Sequence, residues 1–438
     1  MAEKKEHESI YRFTRVSKVA RTPDELLAEV ERQMGGQLTE NTLSAEQRDV
    51  LHQICKWHEL GGELLTLGGY AGVGKSTLIS VLAGHLRNED IAFCAFTGKA
   101  TQVLRRKFRE ANVPVGKRDI QTIHALMYEP IVDKKTGSVI EWEKKTSPDK
   151  ELIVVDEASM LDKTLFDDLS SYGIPMLAVG DHGQLPPVSG NFNLMEKPML
   201  RLETIHRQAE GSPILALSAF VRRTGQVPRT HFCDDSLAIQ VLPPDALTDV
   251  VFSLFSGKGV RYDDVGLLAY TNAERIELND LARTARWGRD IDVRPLVGDQ
   301  LICLRNAENS IFNGMRGTLL SLDTGYETKN HYWGKVLFED DEIMVEGPIC
   351  KAQFGREGTI KDFDEYFRLT GQRVRSWQAM GLLMDWGYAL TVHKAQGSSF
   401  DHVVLVNEPP RHMSLDMKKR AVYTAVTRAA RYLAVLQP

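Results

Sequence analysis

An apolar segment, Glu63–Gly68, runs into Gly69-Tyr70-Ala71-Gly72-Val73-Gly74-Lys75-Ser76 and then into the helical stretch Lys75–Leu86. The G-x-x-x-x-G-K-S spacing predicts a glycine-rich turn between a strand and a helix, with backbone N–H groups turned inward around a polyphosphate. Gly69, Gly72 and Gly74 permit the turn, and Lys75 reaches the terminal phosphates. The Ser76 hydroxyl is a ligand for Mg²⁺, and Ser76 and Thr77 open a helix whose positive end faces the same anion. Such a unit belongs at the carboxyl edge of a parallel sheet, so the chain is expected to be an α/β protein.

The rest of the chain repeats that grammar. Ile91–Phe96, Leu152–Val155 and Pro175–Val179 are short apolar runs, with a helix expected over Lys99–Glu110. Gly266–Tyr270, Tyr388–Thr391, His402–Val406 and Tyr432–Leu436 form a second set. Continuous apolar strands separated by helices imply parallel sheets covered on both faces. The expected division is an N-terminal extension over 1–42, a first lobe over 43–206 and a second over 207–438. Thr22–Met34 reads as a short packing helix closed by Gly35-Gly36. Thr318–Glu346 alternates like hairpins and 355–380 looks helical, so a small β-module with a helical extension, about 318–386, is expected inside the second lobe.

Leu152-Ile153-Val154-Val155 delivers Asp156 and Glu157 to a strand's carboxyl end, where α/β sheets bind their ligands. Asp156 is suited to hold Mg²⁺ through its water shell, and Glu157 to orient and polarise an attacking water. The pair favours hydrolysis of a nucleoside triphosphate over a passive switch.

Composition limits the surroundings of this chemistry. No run of about 18 uncharged apolar residues suggests a membrane span. The 5 cysteines are scattered without a C-x-x-C pair, which suits free thiols in a reducing, cytoplasmic compartment and no zinc site. Net charge is −5, from 54 Lys+Arg against 59 Asp+Glu, so any nucleic-acid contact needs a local basic groove. One stretch qualifies: Lys99, Arg105, Arg106, Lys107, Arg109, Lys117 and Arg118 face only Glu110.

Further blocks keep a fixed order around these motifs. Leu43-Ser44-Ala45-Glu46-Gln47-Arg48 precedes the loop, and Gly180-Asp181-His182-Gly183-Gln184-Leu185-Pro186-Pro187 follows the acids. Thr391-Val392-His393-Lys394-Ala395-Gln396-Gly397-Ser398 and Val422-Tyr423-Thr424-Ala425-Val426-Thr427-Arg428-Ala429 lie near the C-terminus. Together the blocks resemble superfamily 1 helicases of the RecD/Dda branch, over nearly the whole chain. That resemblance implies two RecA-like lobes, a β-hairpin pin in the first (about 129–147) and an SH3-like insert in the second. It also implies a motor that hydrolyses ATP with Mg²⁺, moves 5′ to 3′ on single-stranded DNA and opens duplex junctions in replication or recombination. A monomer, working beside a single-strand-binding or replisome protein, is the expected form.

The resemblance also assigns roles. Gln47 matches the glutamine that reads adenine, and Gln184 the γ-phosphate sensor. Arg207, in Leu202-Glu203-Thr204-Ile205-His206-Arg207-Gln208, and Arg428 match arginine fingers, which neutralise charge on a transferring phosphoryl group. Thr97, Lys99, Thr122 and His124 match single-strand contacts of the first lobe, and Thr391, His393 and Lys394 those of the second. Thr271-Asn272 and Asn313–Gly317 match signatures without assigned chemistry. Glu129–Lys145 reads as a hairpin with Gly137 at its turn, at the pin's position, where Trp142, or Ile140 beside it, either splits the last base pair or packs the hairpin on its lobe.

Two other functions fit parts of the pattern: an ATP-gated single-strand clamp or protein-displacing remodeller that does not unwind, and a phosphate-loop kinase of small molecules. The kinase leaves Gln184, Arg428 and the second lobe without work.

Overall fold

The strand that carries the phosphate loop, Leu64–Gly69, lies inside a 6-stranded sheet in which every pairing is parallel. Its order is Ile120–Thr122, Ile91–Ala95, Leu152–Asp156, Met176–Gly180, Leu64–Gly69 and Leu200–Leu202. This is a computed structural model, and it describes residues 12–15 and 43–437 apart from 87–89, 112, 114–119, 133–138, 188–191, 205–211, 229–231, 235–236, 257–260, 289–292, 308–310, 312 and 339–342. Ile91–Ala95 and Met176–Gly180 are buried along their whole length, as a sheet covered on both faces requires. The expected helix Thr22–Met34 lies outside the described residues.

The second lobe holds another 6-stranded sheet, ordered Phe232–Asp234, Leu237–Leu242, Ala429–Leu436, Phe400–Val406, Val265–Ala269, Ala389–Thr391. It is parallel except for the edge hairpin at Phe232–Asp234. The α/β class expected from the apolar runs is therefore the observed one.

A third sheet, wholly antiparallel, interrupts the second lobe. Its order is Arg12–Arg15, Ile343–Cys350, His331–Phe338, Arg316–Leu322, Gln300–Cys303, Met384–Trp386. Two features differ from the reading at 318. The sheet takes in Gln300–Cys303, a run too short, and buried at every position, to show a period of two. It also takes an edge strand from the N-terminal extension, Arg12 pairing with Glu346 and Arg15 with Ile343.

Helix Asn272–Trp287 fastens this module to the second lobe. Thr271 and Asn272 start it through a capping box with Glu274, which is the local job of that signature. Further along, Arg275 meets Asp385 at 2.9 Å and Arg283 meets Asp299 at 3.1 Å, all four side chains buried. Asp299 also accepts from Trp287 Nε1 at 2.9 Å and Tyr388 Oη at 2.8 Å. A buried ion pair is tolerable only when its spare oxygens are met in this way.

Candidate active site

The loop from Gly69 to Ser76 turns through left-handed backbone at Gly72 (φ 83°) and Gly74 (φ 78°), which side chains with a Cβ rarely adopt. Gly74 is also the N-cap of helix Lys75–His85, so the helix's first N–H groups open toward the loop. Lys75 Nζ donates to the carbonyls of Gly69 at 2.7 Å and Tyr70 at 3.0 Å. A cavity of about 820 Å³ opens over it, walled by Gly72, Gly74, Lys75, Ser76, Thr77, Asp156, Glu157, Asp181, Gln184 and, from the second lobe, Gly397 and Arg428. That volume suits a nucleotide.

Gln47 stands behind the loop and is not among the residues walling this cavity. Its Nε2 donates to the Val73 carbonyl at 3.1 Å, while its Oε1 accepts from the Ser44 N–H at 3.0 Å in a capping box. The amide expected to read adenine is committed here to bracing the loop.

Asp156 and Glu157 end the central strand as expected, and their surroundings differ. Asp156 Oδ1 accepts from the Glu157 N–H at 2.9 Å. Glu157 has φ 55°, a conformation costing a non-glycine residue of order 1 kcal/mol, which aims its side chain out of the strand line. Burial first, and the Asp156 charge second, raise the Glu157 carboxyl above its ordinary range, while Arg428 and Lys75 pull the other way. Its Oε2 and the Gln184 Oε1 are buried without hydrogen-bond partners, so two acceptors are held at the cavity with unused lone pairs. Acceptors of this kind suit an ordered water. The Ser76 hydroxyl and Asp156 carboxylate are hard oxygen donors suited to Mg²⁺.

The second lobe closes the site from the far side. Arg428 is 5% exposed, its guanidinium held by the carbonyls of Ser398 (3.1 Å) and Thr424 (3.1 Å) and by Thr427 Oγ1 (3.2 Å). Tyr423, one turn earlier, donates to Asp181 at 2.8 Å and accepts from the Ala71 N–H of the phosphate loop at 2.9 Å. Thr424 Oγ1 accepts from the Leu185 N–H, and Gln396 Nε2 donates to the Leu185 carbonyl. Tyr70 of the loop is flanked by the His182 ring at 4.1 Å between centroids and the Arg222 guanidinium at 3.4 Å. Sequence reasoning missed Tyr423, Asp181 and Arg222 as contacts between the lobes. Only the motif blocks around the first two hinted at them. Arg207 lies outside the described residues.

Residues matched to strand contacts fall at element starts. Thr97 caps helix Gly98–Glu110, and Thr122, itself buried, caps helix Ile123–Met127, each hydroxyl accepting a backbone N–H. Burial lowers the pKa of His124 and of His393, so both favour neutral rings. Thr391 Oγ1 accepts from the Lys394 N–H at 3.3 Å, and the Lys394 side chain is exposed. The lobes approach here: a Cβ at Gly397 would stand 3.5 Å from Thr97 Oγ1. The Lys99 side chain lies outside the described residues.

The basic stretch does not form one face. Arg105 turns to the Ile120 carbonyl, and Lys107 turns inward to Ser76 Oγ at 2.7 Å. Arg106 and Arg109 are the exposed cations of the described part, Arg106 facing Glu110 at 3.9 Å. Lys117 and Arg118 lie outside the described residues. Helical spacing explains the split, because consecutive cations point about 100° apart around the axis.

Tyr128–Val132 and Val139–Lys144 form an antiparallel hairpin as a separate 2-stranded sheet, with Trp142 opposite Pro130. Its base is clamped by Asp168, which accepts from Tyr128 Oη at 2.6 Å and Lys144 Nζ at 3.0 Å. The side chains of Ile140 and Trp142 lie outside the described residues.

The two parallel-sheet lobes and the glycine-rich loop define a phosphate-loop nucleotide-binding protein of RecA-like architecture. Residues 42–241 match the AAA domain family model and 387–436 the UvrD-like helicase C-terminal domain. In its domain matches and its relatives the chain is similar to superfamily 1 helicases of the RecD/Dda kind. It is 29% identical to the ATP-dependent RecD2 DNA helicase of Deinococcus radiodurans over 88% of this chain and 48% of that protein. It is 22% identical to the ATP-dependent DNA helicase dda of Enterobacteria phage T4, over 89% of this chain and 98% of that one. The chain spans less than two thirds of the first relatives it matches, 48% of RecD2 and 66% of the Mycobacterium tuberculosis RecD. In fold it is similar to the Pif1 helicase of Candida albicans, at TM-score 0.50 and 20% identity, covering 90% of this chain and 94% of the other.

Proposed function

We propose that the chain is an ATP-driven DNA motor that moves 5′ to 3′ on a single strand and separates duplexes. The observation that carries this reading is the meeting of Lys75, Glu157 and Gln184 with Arg428 of the other lobe around one cavity. A site completed across two lobes makes hydrolysis and lobe closure the same event.

Lys75 binds the terminal phosphates and Glu157 takes a proton from the attacking water. Gln184 senses the γ-phosphate, and Arg428 and Arg207 neutralise charge on its oxygens. Ser76 and Asp156 would hold Mg²⁺, which when bound neutralises and orients the phosphates. Thr97, Lys99, Thr122 and His124 grip the strand from one lobe and Thr391, His393 and Lys394 from the other, chiefly through its backbone. Alternate loosening of the grips moves the strand, and the hairpin meets the duplex. The dda relative, matched over 98% of its length, supports the reading.

The test is ATP turnover with and without single-stranded DNA, beside unwinding of duplexes carrying a 5′ or a 3′ tail, with Lys75→Ala as the inactive control. DNA stimulation and unwinding from the 5′ tail alone are expected. Stimulation without unwinding turns the reading to a clamp or remodeller, and no stimulation by DNA rejects the motor.

A further inference from the structure

Lys107, half-buried on helix Gly98–Glu110, turns toward the phosphate loop. Its Nζ donates to Ser76 Oγ at 2.7 Å, and its side chain helps to wall the cavity. The charges that act on it are Asp156 and Glu157 as attracting groups and Lys75 and Arg106 as repelling ones. A lysine ammonium thus sits on the hydroxyl, and beside the carboxylates, that suit a divalent cation. No other described side chain hydrogen-bonds Ser76 Oγ.

The chemistry of that position is demanding. Asp156 and Glu157 are neighbours in sequence, and Glu157 is buried with an unpartnered oxygen. Two carboxylates in such surroundings repel each other unless a cation stands near them. Lys75 Nζ is engaged by the carbonyls of Gly69 and Tyr70, while its charge and that of Arg428 also act on Glu157. An ammonium on a flexible four-carbon stem can both fill the gap and withdraw from it, as a forked guanidinium held by several bonds cannot.

We propose that Lys107 is a resident counter-cation of the metal position, holding Ser76 Oγ and offsetting the acid pair until Mg²⁺ arrives with nucleotide and displaces it. The proposal rests on the Mg-nucleotide reading of this site. Lys107 acts through Ser76 and the acids and is a positioning residue. It competes with Mg²⁺, and without metal it lends positive charge to the phosphates.

Binding of a fluorescent ATP analogue to the full chain tests this, measured by anisotropy in EDTA and then across a Mg²⁺ titration. Lys107→Gln should lower the Mg²⁺ concentration for half-maximal binding by roughly three- to tenfold, because a like charge beside the ion is gone. The same variant should weaken metal-free binding by a similar factor. Lys107→Arg, which keeps the charge, should stay within about twofold of the parent in EDTA. A Lys107→Gln variant that melts like the parent yet needs the same or more Mg²⁺ overturns the proposal. If Lys107→Gln melts early, Lys107→Met takes its place, with the same two outcomes. A parent chain that binds no analogue even with Mg²⁺ rejects the nucleotide-site reading itself, which the competition result alone cannot do.

Discussion

The phenol of Tyr423 donates to the Asp181 carboxylate at 2.8 Å and, through a lone pair, accepts from the Ala71 N–H at 2.9 Å. One buried hydroxyl therefore ties the second lobe to the phosphate loop and to the strand end that carries Gln184. Burial first, then the Asp181 charge, raise the phenol's pKa far above its ordinary value, so it stays a donor.

Tyr423→Phe removes the donor to Asp181 and the acceptor for Ala71 together. The expected cost is about 1–3 kcal/mol for buried groups left without partners. DNA-stimulated turnover should fall more than nucleotide affinity, because the lobes lose their link while the loop keeps its phosphate contacts. Equal losses in both, measured by steady-state kinetics and nucleotide titration, would show that Tyr423 only supports the fold.

Glu157→Gln should abolish turnover and stabilise the chain at neutral pH. The folded carboxyl titrates above its ordinary 4.5, for burial and Asp156 disfavour the anion. Its contribution to stability is thus whole below pH 4.5 and is lost as pH rises through the folded value. Thermal melting without nucleotide or metal should place the variant level with the parent near pH 4 and above it at pH 7.

Trp142→Ala should depress duplex unwinding well below its effect on strand-stimulated ATP turnover, as expected of a wedge. Asp168→Ala should act in the same direction by loosening the hairpin's base, where Tyr128 and Lys144 both converge. Equal effects on both activities, or none, would remove the hairpin from strand separation.

Asp385→Ala leaves Arg275 buried and without its partner at 2.9 Å, a loss of about 3–5 kcal/mol. Denaturant melts should record it, and the double variant with Arg275→Met should recover part of it. No loss would mean that the Arg275–Asp385 pair adds nothing to the attachment of the module.

Much of the site is legible without coordinates because its parts are local. The phosphate loop follows from eight consecutive residues, and Asp156-Glu157 from an apolar run that must end somewhere. The hairpin is visible in its alternation. By contrast, the extent of the inserted sheet was hidden, since Arg12–Arg15 finds its partner strand more than 300 residues away. Gln47 shows the same limit, for its motif block says nothing about which amide end is already satisfied.

Sequence alone determined the chain's α/β class and the glycine-rich turn of the loop, because periodicity, glycine conformation and nearest neighbours are properties of short segments. Tertiary structure alone decided which cations serve the cavity. Arg105, Arg106, Lys107 and Arg109 are alike in composition, yet only Lys107 reaches Ser76. Its direction depends on how one helix rolls against the sheet, and the Tyr423 bridge on how two lobes meet. Both follow from packing summed over many distant residues, which no local pattern encodes.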